Sequence, residues 1–399
     1  MRVLFVTHYG PSHVPWLVPL AWACQLAGHD VRMATQTQSV PAVLSAGLLS
    51  VPLGDDSVAH RADALPGLGK PLPDRLAKGW GDRPEVLDAD MLAALANRLF
   101  VVADAVSDDL VAFARAWRPD LVVHDTGSVA ALVAAVAVKA PAVGHFHGVP
   151  GGMAIQHEAE VTPGYRALFE RHGLDPYVAP AVWVDPCPPK LQRQDPIARK
   201  PMRFIPFSGS AALPSWLLSY TGRPRICVTG GMVTDTLDSL LPTVVEALRP
   251  TGFEVVLAVN AAQGEQIERS VELPDTFRTA VGLPLNSLLP TCDAILHHGG
   301  GGTTMISVAS GLPQVILPGT PLQHDWARRV SDAGAGLWLE TQDHDQPSSI
   351  RQAVQSALAV PSYQRNAEQL EADVAAMPTP ADVSAFLEKL SKTTEHPSC

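Results

Sequence analysis

The chain has 399 residues, 46% of them hydrophobic and 17% charged, and carries a formal net charge of −11 from 29 Lys+Arg against 40 Asp+Glu. Domains run to ~100–200 residues, so two are expected, and this much apolar sequence excludes a disordered chain. The acidic balance, with no sustained basic run, excludes a nucleic-acid binder, which needs cations to displace counterions from phosphate.

Arg2-Val3-Leu4-Phe5-Val6-Thr7 is an apolar, β-branched run, the pattern of a strand buried on both faces. After a loop from His8 to Ser12, apolar residues Trp16, Leu17, Leu20, Ala23 and Ala27 recur at helical spacing until Gly28 stops them. Asp30 to Thr35 is a second strand. Asp120 to His124 is another, followed by an Ala/Val-rich helix from about Gly127, and Pro141 to Phe146 is a further strand. The stretch from Val184 to Pro224 is rich in Pro, Ser and Gly and lacks periodicity, as linkers do. Strands then resume at Arg225–Thr229, Phe253–Val259, Ala294–His297 and Gln314–Leu317, with a helix over about 323–333. A last helix is expected at Pro380–Leu390, ahead of a frayed polar tail. Two runs of strand–helix alternation imply an α/β protein of two facing doubly wound, Rossmann-like domains with a deep cleft between them. The expected division is residues 1–205 for an N-terminal acceptor-binding domain, 206–224 for a linker and 225–376 for a C-terminal donor-binding domain. Residues 377–399 would form a C-terminal helix and tail packing back on the first domain.

The longest apolar stretch, Val129 to Val138, is half of the ~20 residues that cross a bilayer, and the apolar start is too short for a secretory leader. Cys24, Cys187, Cys227, Cys292 and Cys399 are odd in number, widely spaced and without a CxxC, which reads as idle thiols in a reducing compartment. A soluble, cytoplasmic protein without a membrane or nucleic-acid partner is expected, with a homodimer among its candidate assemblies.

The stretch His297-His298-Gly299-Gly300-Gly301-Gly302-Thr303-Thr304 falls between a strand and a helix. Glycines let backbone N–H groups approach a ligand with no Cβ in the way, and a helix N-terminus favours phosphate. The alternative is a flexible surface turn. No GK[ST] ends a glycine loop, and the first strand–helix turn has only Gly10, so neither an NTPase nor a Rossmann dinucleotide enzyme is indicated. A diphosphate held by neutral donors fits better. His13, at the same kind of sheet edge, can serve as a general base or as a helix-capping residue. Asp125 follows the strand ending at His124, and either holds the His13 tautomer or caps the next helix. His8, His124, His145, His147 and His157 are further candidates for the cleft. No H-x₃-H or HExxH is present, so no metal site is expected.

Together these residues resemble the GT-B antibiotic-biosynthesis glycosyltransferases of bacteria, relatives of the plant UDP-glycosyltransferases. The likeness is carried by Met1–Val6 through His13, Ala27-Gly28-His29-Asp30-Val31, Trp117–Val122 with Asp125, Asp185-Pro186-Cys187-Pro188-Pro189 and Arg203–Gly209. It is carried further by His297–Thr304, Gly311-Leu312-Pro313-Gln314 and Met377-Pro378-Thr379-Pro380. The resemblance implies an inverting transfer of a sugar, a deoxysugar by preference, from a dTDP-sugar to a hydroxyl of a hydrophobic natural-product aglycone, with no cofactor or metal. It implies His13 as base with Asp125 as its support, and His298, Gly300, Gly301, Gly302 and Thr303 at the donor diphosphate. Gly230, Gly231, Leu283, Leu285, Leu322 and Gln323 would lie at the nucleotide or sugar, and Tyr9, Phe146 and Met153 at the acceptor. Two departures stand out: Leu322-Gln323 where members commonly carry Asp-Gln, and no aromatic residue in Val281–Leu285. Both favour a sugar with fewer hydroxyls. Transfer to carbon of an aromatic polyketide, and a nucleotide-sugar epimerase or hydrolase on the same fold, are the alternatives; a donor-only assay separates the last.

Overall fold

A computed structural model describes residues 1–7, 10, 12–54, 57, 89–147, 162–175, 180–192, 197–219, 221–231, 236–270 and 272–393. It contains two all-parallel sheets. The first has strands β1 (Arg2–Val6), β2 (Asp30–Gln36), β3 (Ser50–Leu53), β4 (Leu121–Asp125), β5 (Ala142–His145), β6 (Val182–Asp185) and β7 (Arg199–Pro201), in the order β3-β2-β1-β4-β5-β6-β7. The second has β8 (Arg225–Thr229), β9 (Glu254–Val259), β10 (Phe277–Val281), β11 (Ala294–His297), β12 (Gln314–Ile316) and β13 (Gly336–Trp338), in the order β10-β9-β8-β11-β12-β13.

Alternation along each strand divides its side chains between two cores. In β1, Leu4 and Val6 join Val122 and the Ala130–Val138 helix on one face. Val3 and Phe5 join Val123, Val143 and the Val14–Leu26 helix on the other. Val383 and Leu387 of the Pro380–Thr393 helix complete that second core, each fully buried. Burying such a side chain contributes ~1.5–3 kcal/mol, which fastens the end of the chain to the first sheet.

The second sheet follows the same rule, with Ile226, Val228, Val255 and Leu257 beneath the Thr236–Leu248 and Pro347–Ala359 helices. Its opposite core, around Cys227, Met305 and Trp326, also takes in Trp16, Leu191 and Phe204 from the first half. The two halves therefore share one apolar seam. Arg329 crosses it, donating from Nη1 to Leu191 O at 2.8 Å.

The sequence pattern yields four strands for the second sheet; the structure has six. β10 and β13 were not expected, and β7 runs through the stretch expected to be linker. β7 and β13 are edge strands of three residues, Arg-Lys-Pro and Gly-Leu-Trp, too short for periodicity, and proline is confined to such edges. Leader, membrane and tail readings meet the structure only in part: among the described residues no helix is long and apolar enough to cross a membrane, and residues 394–399 lie outside them.

Strand order reverses direction at β1/β4 in one sheet and at β8/β11 in the other. Open α/β sheets place their crevice at the carboxyl ends of the strands on either side of such a switch. These two positions hold the candidate chemistry.

Candidate active site

At the first switch point, Asp125 is the last residue of β4 and His13 follows β1. Asp125 Oδ2 lies 2.9 Å from His13 Nδ1 and accepts from Thr7 Oγ1 at 2.9 Å. Its other oxygen, Oδ1, accepts from Gly127 N at 2.9 Å and Ser128 Oγ at 2.7 Å. The two sequence readings of Asp125 thus resolve into one oxygen each. Oδ1 holds the turn before the Ala130–Val138 helix, and Oδ2 holds the imidazole. A carboxylate facing Nδ1 leaves the proton there and the lone pair on Nε2. His13 stands at the N-cap position of its helix yet makes no capping bond through its side chain, so the ring is free of that structural duty. Its side chain keeps 22% of its surface exposed, against 2% for Asp125. Exposed base and buried support is the arrangement that presents one nitrogen to a substrate.

At the second switch point the chain leaves β11 through His297, His298, Gly299 and Gly300 into the Gly301–Val308 helix. His297 Nδ1 accepts from Gly299 N at 3.1 Å, which puts its proton on Nε2, 3.0 Å from Gln314 Oε1. Burial depresses its pKa to about 3, so this neutral tautomer persists and fixes the start of the turn. Gly299 has φ +85°, and a Cβ there would lie 2.9 Å from Ile316 Cγ2. The first amide of the helix with a partner is that of Thr304, donating to Gly300 O at 2.9 Å. The amides of Gly300, Gly301, Gly302 and Thr303 have no partner among the described residues and stand as donors at the positive end of the helix.

His298 fills the gap between the two turns of this switch point. A Cβ on Gly231, after β8, would sit 2.9 Å from its Nε2, and a Cβ on Gly300 would sit 2.9 Å from its Cε1. Burial depresses its pKa to about 4, and its Nδ1 is buried with no hydrogen-bond partner among the described residues. An imidazole clamped between two glycines, neutral and with an unpaired nitrogen, suits a polar ligand. Gly230 lies beside it, lining a small cavity with Thr229, His297 and His298.

His147 ties the two switch points together. Its ring centroid is 4.2 Å from that of His13, and its Nδ1 is 2.8 Å from Thr126 Oγ1. Its carbonyl oxygen would be 3.3 Å from a Cβ on Gly301. One residue thereby touches both the candidate base and the glycine turn. The sequence marks His147 only as one of several cleft histidines.

Other expected site residues fall differently. Phe146 is not turned toward His13: its ring packs on Trp183 at 5.2 Å and under the Arg199 guanidinium at 4.9 Å. Strand alternation explains this, since neighbours of His147 point the opposite way. Leu283 lies in the core around Cys227, Met305 and Trp326, with Leu285 packed against it, so these side chains serve packing. Gln323 Oε1 accepts from Gly319 N at 2.8 Å and Thr320 N at 3.0 Å in a capping box, leaving its NH₂ to offer. Leu322, beside it, is half-buried. Tyr9 and Met153 lie outside the described residues, as do His8 and His157. Among the described residues no group of three His, Cys, Asp or Glu could hold a metal, and the four described cysteines are free and buried.

The family described as erythromycin biosynthesis protein CIII-like matches the chain twice, its N-terminal domain over residues 22–231 and its C-terminal domain over 243–390. The chain belongs to this family of antibiotic glycosyltransferases. The aclacinomycin-T 2-deoxy-L-fucose transferase of Streptomyces galilaeus is 33% identical, over 99% of this chain and 97% of its own. The 10-deoxymethynolide desosaminyltransferase of Streptomyces venezuelae is 32% identical, over 100% of this chain and 99% of its own. Among solved structures, the glycosyltransferase VinC in complex with dTDP superposes with a TM-score of 0.82 at 31% identity, covering 98% of this chain and 100% of VinC. The two facing parallel-sheet units are thus a GT-B fold, and the protein is a glycosyltransferase of antibiotic type.

Proposed function

We propose that the enzyme transfers a deoxysugar from a dTDP-sugar to a hydroxyl of a hydrophobic natural-product aglycone, with inversion at the anomeric carbon. The observation that carries this reading is the His13–Asp125 pair on one sheet edge, bridged by His147 to unpaired amides on the other. In the reaction His13 Nε2 takes the proton from the acceptor hydroxyl, and Asp125 stabilises the imidazolium that forms. The acceptor oxygen bonds the anomeric carbon as the bond to the diphosphate breaks on the opposite face. His298 and the amides of Gly300, Gly301, Gly302 and Thr303 receive the charge developing on the departing diphosphate. Fixed donors aimed at developing charge are commonly the largest catalytic contribution.

The donor assignment draws support from VinC, solved with dTDP, and from a relative named for 2-deoxy-L-fucose. Leu322 adds a local reason. An apolar side chain cannot satisfy a sugar hydroxyl, which favours a donor lacking one there. Gly230, Gly231 and Gln323 would line the nucleotide and sugar, with Gln323 acting through its NH₂. The test is a matrix of dTDP-sugars with polyketide aglycones, read by mass spectrometry and by the anomeric coupling constant of the product. A β-linked product from an α-linked donor is expected. Retained configuration overturns the inverting mechanism, and donor turnover without any aglycone overturns the transfer to an acceptor.

A further inference from the structure

Two tryptophan side chains converge on the glycine turn from opposite halves of the molecule. Trp16 lies one turn beyond His13 on the Val14–Leu26 helix, and Trp326 lies on the Pro321–Asp332 helix of the second half. Trp16 is 7% exposed and Trp326 is 2% exposed. A Cβ on Gly302 would have one neighbour within 4 Å, the indole nitrogen of Trp16 at 3.9 Å. The nearest neighbour of a Cβ on Gly301 would be the indole nitrogen of Trp326, at 2.8 Å. Each ring therefore presents its N–H edge to the first turn of the Gly301–Val308 helix.

Neither indole N–H has a hydrogen-bond partner among the described residues. Buried indoles ordinarily find one; these two nitrogens are not sealed from solvent, so a ligand in the cleft can reach them. The rings are held by other contacts: Trp16 meets Phe204 edge-on at 5.2 Å and His147 at 6.4 Å, and the Arg329 guanidinium lies over the face of Trp326, 3.8 Å from its centre. Two neutral side-chain donors thus face the same turn as the unpaired amides of the Gly301–Val308 helix. Such a gathering of donors suits an anion.

We infer that Trp16 is a diphosphate-binding residue contributed by the acceptor half, acting with Trp326 from the donor half, so that a nucleoside diphosphate is gripped from both sides of the cleft. The inference rests on reading the Gly300–Thr303 turn as the diphosphate site. It assigns donor affinity partly to the half that holds the acceptor. The diphosphate then holds the two sheet edges together while His13 works, and its release loosens them.

Calorimetric titration of the full chain with dTDP and with thymidine, which has no phosphate, tests this. Trp16→Phe is expected to weaken dTDP about tenfold or more, the loss of a hydrogen bond to a charged group, and to leave thymidine unchanged. Unchanged dTDP affinity overturns the inference, and so does an equal loss for both ligands, which a packing defect would give. Gly302→Val, which projects a side chain into the same space, separates the two readings. If it abolishes dTDP binding while Trp16→Phe keeps it, the turn stands as the diphosphate site and Trp16 is removed from it. If folded Gly302→Val binds dTDP normally, the turn falls and Trp16 with it. Should Trp16→Phe not fold, the parent chain decides: with ¹⁵N-labelled tryptophan, two of its eight indole signals are expected to shift on adding dTDP and to stay in place with thymidine. Eight unmoved signals overturn the inference.

Discussion

The imidazole of His298 occupies the space that a side chain on Gly231 would need. That glycine has φ +77°, and a Cβ on it would lie 2.9 Å from His298 Nε2. Gly231→Ala therefore meets both a left-handed backbone, worth ~1–2 kcal/mol, and the buried ring of His298. A lowered thermal midpoint and a dTDP affinity reduced by more than about tenfold are expected. Normal dTDP affinity in the variant would detach His298 from the donor.

His13→Ala should lower kcat by about 10²–10⁴, the usual contribution of a general base. The dTDP dissociation constant should stay that of the parent, because the ring supports no hydrogen bond of the glycine turn. Wild-type turnover on an alcohol acceptor would remove His13 from the chemistry.

Asp125→Asn reaches further than catalysis. Among the described residues its carboxylate serves four donors, from Thr7, His13, Gly127 and Ser128, and an amide presents only one oxygen to them. Loss of stability of ~1–3 kcal/mol for a donor left unpaired should accompany the fall in kcat. Chemical denaturation and steady-state kinetics on the same preparation check both. A loss of kcat with full stability would mean that the turn at Gly127 holds without Oδ1.

Leu322→Asp should shift relative kcat/KM toward hydroxylated hexoses by roughly one to two powers of ten, at ~1.4 kcal/mol per power. dTDP-glucose and a dTDP-deoxysugar, compared with one acceptor on both proteins, give the measurement. An unchanged ratio would place residue 322 away from the sugar.

Burial depresses the pKa of His145 to about 4, of His297 to about 3 and of His298 to about 4. The unfolded chain binds protons at these residues near pH 6.5, where the folded chain does not. Stability is therefore greatest above that pH and falls as the solution is acidified toward 4, by up to ~1.4 kcal/mol per pH unit for each residue. Urea unfolding at several pH values should show this decline. A flat profile between pH 6.5 and 4 would mean that these rings take up protons in the folded state.

Much of this architecture is legible in the sequence because strands buried on both faces spell themselves out. Val3–Val6, Leu121–His124 and Ala294–His297 are continuous apolar runs, and the residues that leave their carboxyl ends are those at the switch points. What escapes is whatever depends on alternation or on partners distant in the chain. Phe146 draws attention as an aromatic, yet period-two geometry turns it to Trp183 and gives the place beside His13 to His147. The glycines at 230–231 and 300 look like separate loops until His298 is seen lodged between them. Trp16 reads as one more apolar position of an apolar helix, since nothing in its own segment points to a turn almost three hundred residues later.

Two polypeptide connections join the halves, one leaving β7 and one entering the Pro380–Thr393 helix, and they are bonded to each other where Arg203 N donates to Pro378 O at 2.6 Å. The second half of the chain thus leaves the first half and returns to it at one place, where a single backbone hydrogen bond sets the two crossings side by side. A substitution that displaces either crossing is therefore felt by the other.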